Sequence, residues 1–285
     1  MLKWILFILL CLTWGSSFIL MKEGLVAMSP YQVASIRILC TGLAMLPLLP
    51  AALKSVPRKL IKPVILSGFL GSFFPAYLFC IAQTRIDSSL AGIMNSLTPI
   101  FTVAIGTMFF HLKIGWIKWA GMILGFAGML VLLLGNARGI SFDYLGYTLF
   151  VLLATIFYGL NVNVVNLLLQ NTKPLHVATI AFTALIIPTV VILTLTGYFT
   201  DANLWNGNWT QGTVAAATLG IMGTGVASVL FYTLVRKAGP VFASTVTYGI
   251  PLVAIGWGLV YGEQITLLQI VGMVIILIGV RLANR

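Results

Sequence analysis

The stretch Gly121–Gly128 reads GMILGFAG, and the stretch Gly272–Gly279, 151 residues further along the chain, reads GMVIILIG. Both begin with Gly-Met, both end with Gly, and both are apolar throughout. Segments of this kind are typical of membrane helices that pack closely through small residues. The recurrence indicates that the chain contains one helical unit twice.

Other paired positions extend this recurrence along the chain. Pro99 and Pro251 are 152 residues apart, and Trp14-Gly15 precedes Tyr158-Gly159 by 144 residues. Each copy has room for five membrane helices, and because five is odd, the second copy enters the bilayer inverted relative to the first. Inverted repeats are a signature of secondary transporters, whose substrate site lies between the copies. The predicted repeats are residues 1–137 and 138–285.

The composition places the chain in a membrane. Of its 285 residues, 60% are hydrophobic and 7% are charged, whereas soluble domains carry roughly 25% charged residues. Each spanning helix needs about 20 apolar residues, so we predict an all-α membrane protein with ten transmembrane helices as two inverted five-helix repeats. The predicted spans lie near residues 4–21, 31–50, 63–83, 89–110, 117–135, 144–167, 175–198, 211–234, 240–261 and 265–282.

The basic residues indicate how these helices are oriented. If the N-terminus is cytoplasmic, 12 of the 16 lysines and arginines fall in cytoplasmic segments, and all five acids fall at the outer ends of the helices. Cytoplasmic loops of membrane proteins carry an excess of Lys and Arg. We therefore predict that both termini are cytoplasmic. We attribute the net charge of +11 to topology and not to nucleic-acid binding.

The cysteines and histidines predict neither a disulfide framework nor a metal site. Cys11, Cys40 and Cys80 all lie within predicted spans, and no spacing typical of metal ligands occurs. No phosphate-binding loop of the GxxxxGK[ST] type is present either. We expect no cofactor, no metal and no ATP-driven transport.

Four segments of the chain carry a family resemblance. They are Trp14–Phe18 (WGSSF), Ser35-Ile36-Arg37, Ala91–Pro99, and Gly262-Glu263 followed by Gln269, Gly272 and Gly279. In their order and spacing they resemble the EamA branch of the drug/metabolite transporter superfamily, over essentially the whole chain. The resemblance implies a ten-helix carrier of small metabolites, and many such carriers export amino acids or related solutes. His111 departs from the pattern, because the family often has a glutamate there.

These features predict a transporter and not an enzyme. We expect a secondary carrier that exports small metabolites, above all amino acids or related amphipathic solutes, by alternating access. Multidrug efflux and a small-solute facilitator or channel are the alternatives. A membrane-embedded enzyme is disfavoured, because the sequence offers no cluster of nucleophile, base or metal ligands. The expected partners are a small-molecule solute and the lipid bilayer, with no nucleic acid, and the expected protein is a monomer or weak homodimer in a bacterial inner membrane.

Polar residues within the spans are the candidates for solute binding, because polar groups in hydrocarbon must find partners. Arg37 is the only charge placed well inside a span. It either attracts an anionic group of the solute or is structural, bonding helix-end carbonyls or extending outward. The remaining candidates are Trp14, Ser17, Tyr77, Asn95, Thr98, Tyr158, Asn161, Tyr232, Thr247 and Tyr248. Hydrogen bonding between helices and aromatic filling of the core are the structural alternatives for this set.

Two further features bear on the transport cycle. Pro99 and Pro251 occupy equivalent places in the two copies and predict matched helix kinks that shape and gate a cavity. No Asp, Glu or His lies at mid-span, where proton relays usually need one. We therefore expect facilitated diffusion or exchange, or coupling through an edge carboxylate such as Glu23 or Glu263.

Overall fold

The computed structural model describes residues 2–110, 114–135, 142–200 and 207–284, and helices make up nearly all of this part of the chain. Eight of these helices are long and apolar enough to cross a membrane, and two further apolar helices are shorter, with 15 and 17 residues. The all-helical membrane class is therefore as predicted. In chain order the helices are α1 (Leu2–Leu25), α2 (Pro30–Ser55), α3 (Arg58–Ala82), α4 (Ser88–Phe110), α5 (Trp116–Leu134), α6 (Tyr144–Leu168), α7 (Pro174–Leu195), α8 (Asn208–Phe231), α9 (Val246–Val260) and α10 (Leu267–Ala283).

The link between α8 and α9 lies later in the chain than expected. We expected a turn at residues 235–239, but the helical backbone of α8 continues to Ser244, and α9 begins at Val246. Lys237 and Ala238 have good helix propensity, and the interruption falls at Thr245 instead. His111, which was singled out at the α4–α5 link, lies outside the described residues.

Two helices of the first half are interrupted near their middle. α1 divides into Leu2–Gly15 and Ser17–Leu25, and α4 divides just before Thr98. The ring of Pro99 cannot donate to the carbonyl of Asn95, four residues earlier. The Thr98 hydroxyl donates to that carbonyl instead, at 2.8 Å.

The predicted counterpart of this interruption differs in the second half. Pro251 lies inside the continuous helix Val246–Val260, and α6 runs unbroken through the region that matches the break in α1. Whether either proline takes part in gating stays a prediction.

A wider, π-type helical turn occurs at the same place in each half. It spans Phe69–Phe73 in α3 and Leu219–Val226 in α8, and the two segments begin 150 residues apart. A π turn inserts a residue and disturbs the regular hydrogen-bond ladder, and such turns are frequent at functional sites. In α8 two carbonyls of this turn find partners on other helices: Thr41 donates to Gly220 O, and Trp14 donates to Gly223 O, each at 2.9 Å.

The recurring glycine stretches bring α5 and α10 into close backbone contact. A Cβ added to Gly121 would lie 2.7 Å from Gly279 O, and one added to Gly128 would lie 2.9 Å from Gly272 O. These distances are too short for any side chain, and the partner atoms belong to backbone that cannot give way. The two stretches therefore act as packing surfaces, as their composition predicts.

The two halves of the chain also interlock through their first helices. α1 packs against α8 and α9, while α6 packs against α3 and α4. Matching glycines make matching contacts here: Gly71 packs on Asn161, and Gly223 packs on Ser17. The predicted boundary at residues 137–138 lies outside the described part of the chain, so it stays a prediction.

Candidate functional site

A cavity of about 520 Å³ lies where these two sets of helices meet. Its aromatic walls come from both halves of the chain, and hydroxyl and amide groups are interspersed between them. This volume is within the range of small-molecule sites, which are mostly apolar with a few well-placed polar groups. The aromatic residues are Trp14, Phe18, Phe79, Tyr158 and Phe182, and the polar ones are Ser17, Arg37, Ser67, Ser72, Asn95, Thr98, Asn161, Gln170, Thr172, Thr224, Ser228 and Thr247.

The cavity opens at one end of the helix bundle. Gln170 and Pro174, which are exposed in the link between α6 and α7, form part of its lining. Thr172, which is partly exposed, and Leu169, which is buried, line the cavity beside them. Val162, on the last turns of α6, is a further exposed residue of the lining, so the exposed part of the lining runs along the end of α6 to the start of α7.

Eight of the eleven predicted binding residues lie around this cavity. They are Trp14, Ser17, Arg37, Asn95, Thr98, Tyr158, Asn161 and Thr247. Tyr77 does not line it, because its hydroxyl is 2.6 Å from the Ser35 hydroxyl in the buried core between α2 and α3. Tyr248 is partly buried outside the lining, and the side chain of Tyr232 lies outside the described residues. Solute binding by any of these residues stays a prediction.

Arg37 reaches the cavity from α2 and contacts α1 and α8. Its Nε donates to the Thr224 hydroxyl at 3.4 Å, and its Nη1 lies 3.9 Å from Met21 Sδ. The Tyr158 hydroxyl of α6 is also close enough to interact with the guanidinium. Among the described residues, ion pairs are formed by Lys22 and not by Arg37. Arg37 is therefore a partly buried cation surrounded by neutral groups.

The amide side chains near the cavity have different surroundings. Asn163 donates to the carbonyls of Thr102 and Gly159, each at 2.9 Å, and so joins α6 to α4. Asn161 Oδ1 is buried and has no hydrogen-bond partner among the described residues. A buried acceptor without a donor is costly, so a solute or water donor would stabilise Asn161 in the cavity.

Much of the apolar lining was not predicted from the sequence. Phe18, Met21, Phe79 and Phe182 line the cavity together with Val177 at the start of α7. Their helical spacing is the same as that of ordinary core residues, so periodicity alone could not separate them. The glycines of α3 and α8 are the sequence feature that could have indicated this lining, since Gly68, Gly71 and Gly223 also line the cavity.

A polar cluster joins α1, α4 and the α9–α10 link at the other end of the bundle. The Glu263 carboxylate, in the α9–α10 link, accepts from Lys22 Nζ at 2.7 Å and from the Ser88 hydroxyl at 2.6 Å. The backbone N–H groups of Ser88 and Ser89 donate to it at 2.8 and 3.0 Å. Asp87 lies 3.7 Å from Lys22. Glu263 thus caps the first turn of α4, where negative charge is favoured, and the cluster holds α1, α4 and the α9–α10 link together.

Hydrogen bonding controls the ionisation of Glu263. Burial raises the pKa of this carboxyl, but the hydrogen bonds from Lys22, Ser88 and Ser89 outweigh burial and bring the pKa to about 2. Glu263 is therefore ionised at neutral pH. A carboxylate held in this way is poorly suited to carry a proton in each transport cycle.

The described residues contain no group of three or more His, Cys, Asp or Glu side chains that could hold a metal ion. The arrangement around the cavity, with aromatic walls, hydroxyls, amides and one guanidinium, is suited to binding an organic solute.

Comparison with known proteins identifies the family. The sequence profile of the EamA-like transporter family matches residues 2–134 and, a second time, residues 145–285. The chain belongs to the EamA-like transporter family. The two matches also fall on the two halves whose glycines make equivalent contacts.

Relatives of this EamA-like protein are named as transporters. An uncharacterized inner membrane transporter, YedA of Escherichia coli K12, is 22% identical over 281 residues, which cover 96% of this chain and 88% of YedA. A probable amino-acid metabolite efflux pump of the same organism is 28% identical over 188 residues, 64% of this chain and 60% of the pump. One solved crystal structure superposes with a TM-score of 0.65 at 19% identity, covering 98% of this chain and 95% of its own. That likeness concerns the fold.

Proposed function

We propose that this EamA-like transporter is a secondary carrier that exports small amphipathic metabolites by alternating access, and that it has no enzymatic activity. The observation that carries the proposal is the cavity. It lies between the two halves of the chain, opens at the α6–α7 end, and does not include the Lys22–Glu263 cluster at the opposite end. A site of this kind, reachable from one side at a time, is what alternating access requires.

The proposed topology has ten spans with both termini in the cytoplasm of a bacterial cell. Eight of the ten proposed spans are helices of membrane length, and α9 and α10 are the two shorter ones. The helix before α9 ends at Ser244, just before α9 begins at Val246. The distribution of basic residues supports cytoplasmic termini, and a relative is named as an inner membrane transporter. With this orientation the cavity opens to the cytoplasm, which suits loading of a solute for export.

Amino acids or closely related solutes are the proposed cargo. The partial relative named as an amino-acid metabolite efflux pump supports this class. The cavity supports it too, because its aromatic walls suit an apolar body and its hydroxyls and amides suit a polar head. One monomer contains a complete cavity, so a monomer or weak homodimer is sufficient for transport.

Solute counterflow in proteoliposomes tests the proposal. Vesicles loaded with unlabelled phenylalanine should accumulate labelled phenylalanine transiently and saturably. Ser72→Trp, which fills the cavity, should reduce this uptake at least about tenfold, because the site cannot hold solute when its volume is occupied. Ala51→Trp is the matched control, since Ala51 is exposed at the end of α2, and it should leave uptake unchanged.

Other outcomes would assign another function. Linear flux without counterflow would indicate a channel. Counterflow of organic cations but not of amino acids would indicate multidrug efflux. Chemical conversion of the solute by the purified protein would indicate an enzyme and would contradict the carrier proposal.

A further inference from the structure

We propose that the cavity prefers solutes with a net negative charge over zwitterions and organic cations, and that Arg37 binds the solute carboxylate. This inference rests on the proposed transport function and adds the charge class of the cargo. It distinguishes among solutes that share an amphipathic body but differ in charge: a carboxylate, a zwitterionic amino acid and an organic cation.

The fixed charge of the cavity favours anions. Arg37 is the one charged residue among the described residues that line it, and the lining includes no Asp, Glu, Lys or His. A cavity with low-dielectric walls concentrates the field of a charge inside it. A single cation there attracts anions and repels cations, and no acidic group in the described lining offsets this preference.

The surroundings of the guanidinium leave it able to bind a carboxylate. Arginine has five N–H donors in a planar arrangement that matches a carboxylate. The contacts of Arg37 are with a hydroxyl at 3.4 Å, a thioether sulfur at 3.9 Å and the nearby phenol of Tyr158. All three are neutral and two are long, so the guanidinium can accept a charged, bidentate partner.

The acids that the structure describes are placed away from Arg37. Glu263 and Asp87 are grouped around Lys22 at the end of the bundle opposite the α6–α7 link, and Glu23 interacts with Tyr261 after α9. Asp143 lies fifteen residues before Tyr158 on the same stretch of helix, about 22 Å along its axis. Within the described residues, no internal carboxylate therefore occupies the place of a solute carboxylate.

A zwitterion should bind in the cavity less tightly than a carboxylate, for the same electrostatic reason. Its carboxylate can pair with Arg37, but its ammonium group would enter a cavity in which the described lining has no acid. Hydroxyls and amide oxygens replace part of the lost hydration, and burying a charge without a counter-charge remains unfavourable. We therefore expect the order of affinity to be carboxylate, then zwitterion, then cation.

Three compounds with a common phenylethyl body test this order: 3-phenylpropionate, phenylalanine and phenethylamine. Binding to the purified protein in detergent is measured by isothermal titration calorimetry at pH 7, in a chloride-free buffer so that inorganic anions do not compete. We expect 3-phenylpropionate to bind at least about tenfold more tightly than phenethylamine, the size expected from one charge-assisted bidentate interaction.

Variants assign this preference to Arg37. Arg37→Gln should abolish the tenfold preference, while Arg37→Lys, which keeps the charge, should retain part of it. Arg85→Gln is the matched control, because Arg85 is exposed in the α3–α4 link and the substitution removes the same charge outside the cavity. If Arg37→Gln does not fold, the order of the three affinities in the wild-type protein and the affinities of Arg37→Lys still test the inference.

The inference is overturned if phenethylamine binds as tightly as 3-phenylpropionate, if none of the three compounds binds, or if the preference survives in Arg37→Gln. Counterflow with the same preparations separates this result from the carrier proposal. Anion binding without exchange contradicts the carrier, whereas exchange without any charge preference contradicts the role of Arg37.

Discussion

At the scale of single residues, the charged side chain of Glu263 stabilises the fold by joining helix ends. Its carboxylate is buried and receives hydrogen bonds from Lys22, Ser88 and Ser89. It supplies the cap that Asp87, at the N-cap position of α4, does not make with its own side chain. The sequence marked Glu263 as part of a motif, but the contact with Ser88, 175 residues away, depends on tertiary structure and was not predicted.

Replacing Glu263 should destabilise the protein in a pH-dependent way. Its folded pKa of about 2 is below its ordinary value of 4.5, so its contribution is fully present above about pH 4.5 and is lost as the pH falls from 4.5 toward 2. We expect Glu263→Gln to lower the free energy of unfolding by up to about 3 kcal/mol at pH 7, as measured by thermal unfolding in detergent.

The pH profile checks the cause of this effect. The difference in Tm between wild type and Glu263→Gln should narrow as the pH is lowered from 5 to 3. Glu23→Gln, which removes a neighbouring carboxylate outside the Lys22 ion pairs, is the control and should change Tm much less. A difference that stayed constant down to pH 3 would show that the ionised carboxylate is not the source of stability.

At the scale of helices, glycine determines how closely the two halves approach. A Cβ on Gly279 would lie 2.6 Å from Gly125 N, whereas a Cβ on Gly256 in α9 meets nothing within 4 Å. Gly279 therefore lies at a backbone contact between α5 and α10, whereas Gly256 has space for a methyl group. The two glycines are thus a matched pair for testing whether close packing of α5 on α10 holds the fold together.

We expect Gly279→Ala to destabilise the protein by about 1–3 kcal/mol, because the added methyl group forces two backbones apart. Gly256→Ala should be neutral or slightly stabilising, because alanine favours helix more than glycine does. Thermal unfolding of both variants in the same detergent measures the effect. Equal Tm values for the two variants would contradict a structural role for this glycine contact.

Some features of the helices could be predicted from the sequence, and others could not. Glycine spacing predicted that α5 and α10 pack closely through small residues but did not predict that they pack against each other, and Pro99 predicted an interruption in α4. The π turns of α3 and α8 were missed, because an inserted residue has no distinctive side-chain pattern. The turn expected at residues 235–239 was wrong, since the helix continues to Ser244. In the cavity, polar residues were found because they contrast with hydrocarbon, whereas Phe79 and Phe182 look like ordinary core.

At the scale of the whole molecule, the two ends of the bundle differ. One end is open along the α6–α7 link, and the other is held by the cluster of Lys22, Asp87 and Glu263. The two halves have equivalent glycine contacts, while α1 is broken and α6 is continuous. The proposed carrier visits a second state in which this end opens, and we expect the Lys22–Glu263 contact, which joins α1 to the α9–α10 link, to be released in that state.

Thiol labelling from each side of the membrane tests this central claim most directly. Ser72→Cys places one thiol in the cavity, in a background with Cys11, Cys40 and Cys80 replaced by serine. In separate proteins, Gln170→Cys marks the open end of the bundle and Arg85→Cys marks the closed end. An impermeant thiol reagent is applied to vesicles of either orientation, with intact Lys22–Glu263 and with Glu263→Gln.

With the cluster intact, we predict that the cavity thiol of Ser72→Cys reacts only from the side that labels Gln170→Cys. With Glu263→Gln, labelling of the cavity thiol from the side that labels Arg85→Cys should rise. Labelling from the opposite side should fall, because opening one end closes the other in alternating access. Equal and simultaneous labelling of the cavity thiol from both sides, or no labelling from either, would contradict a carrier with a single cavity between two halves.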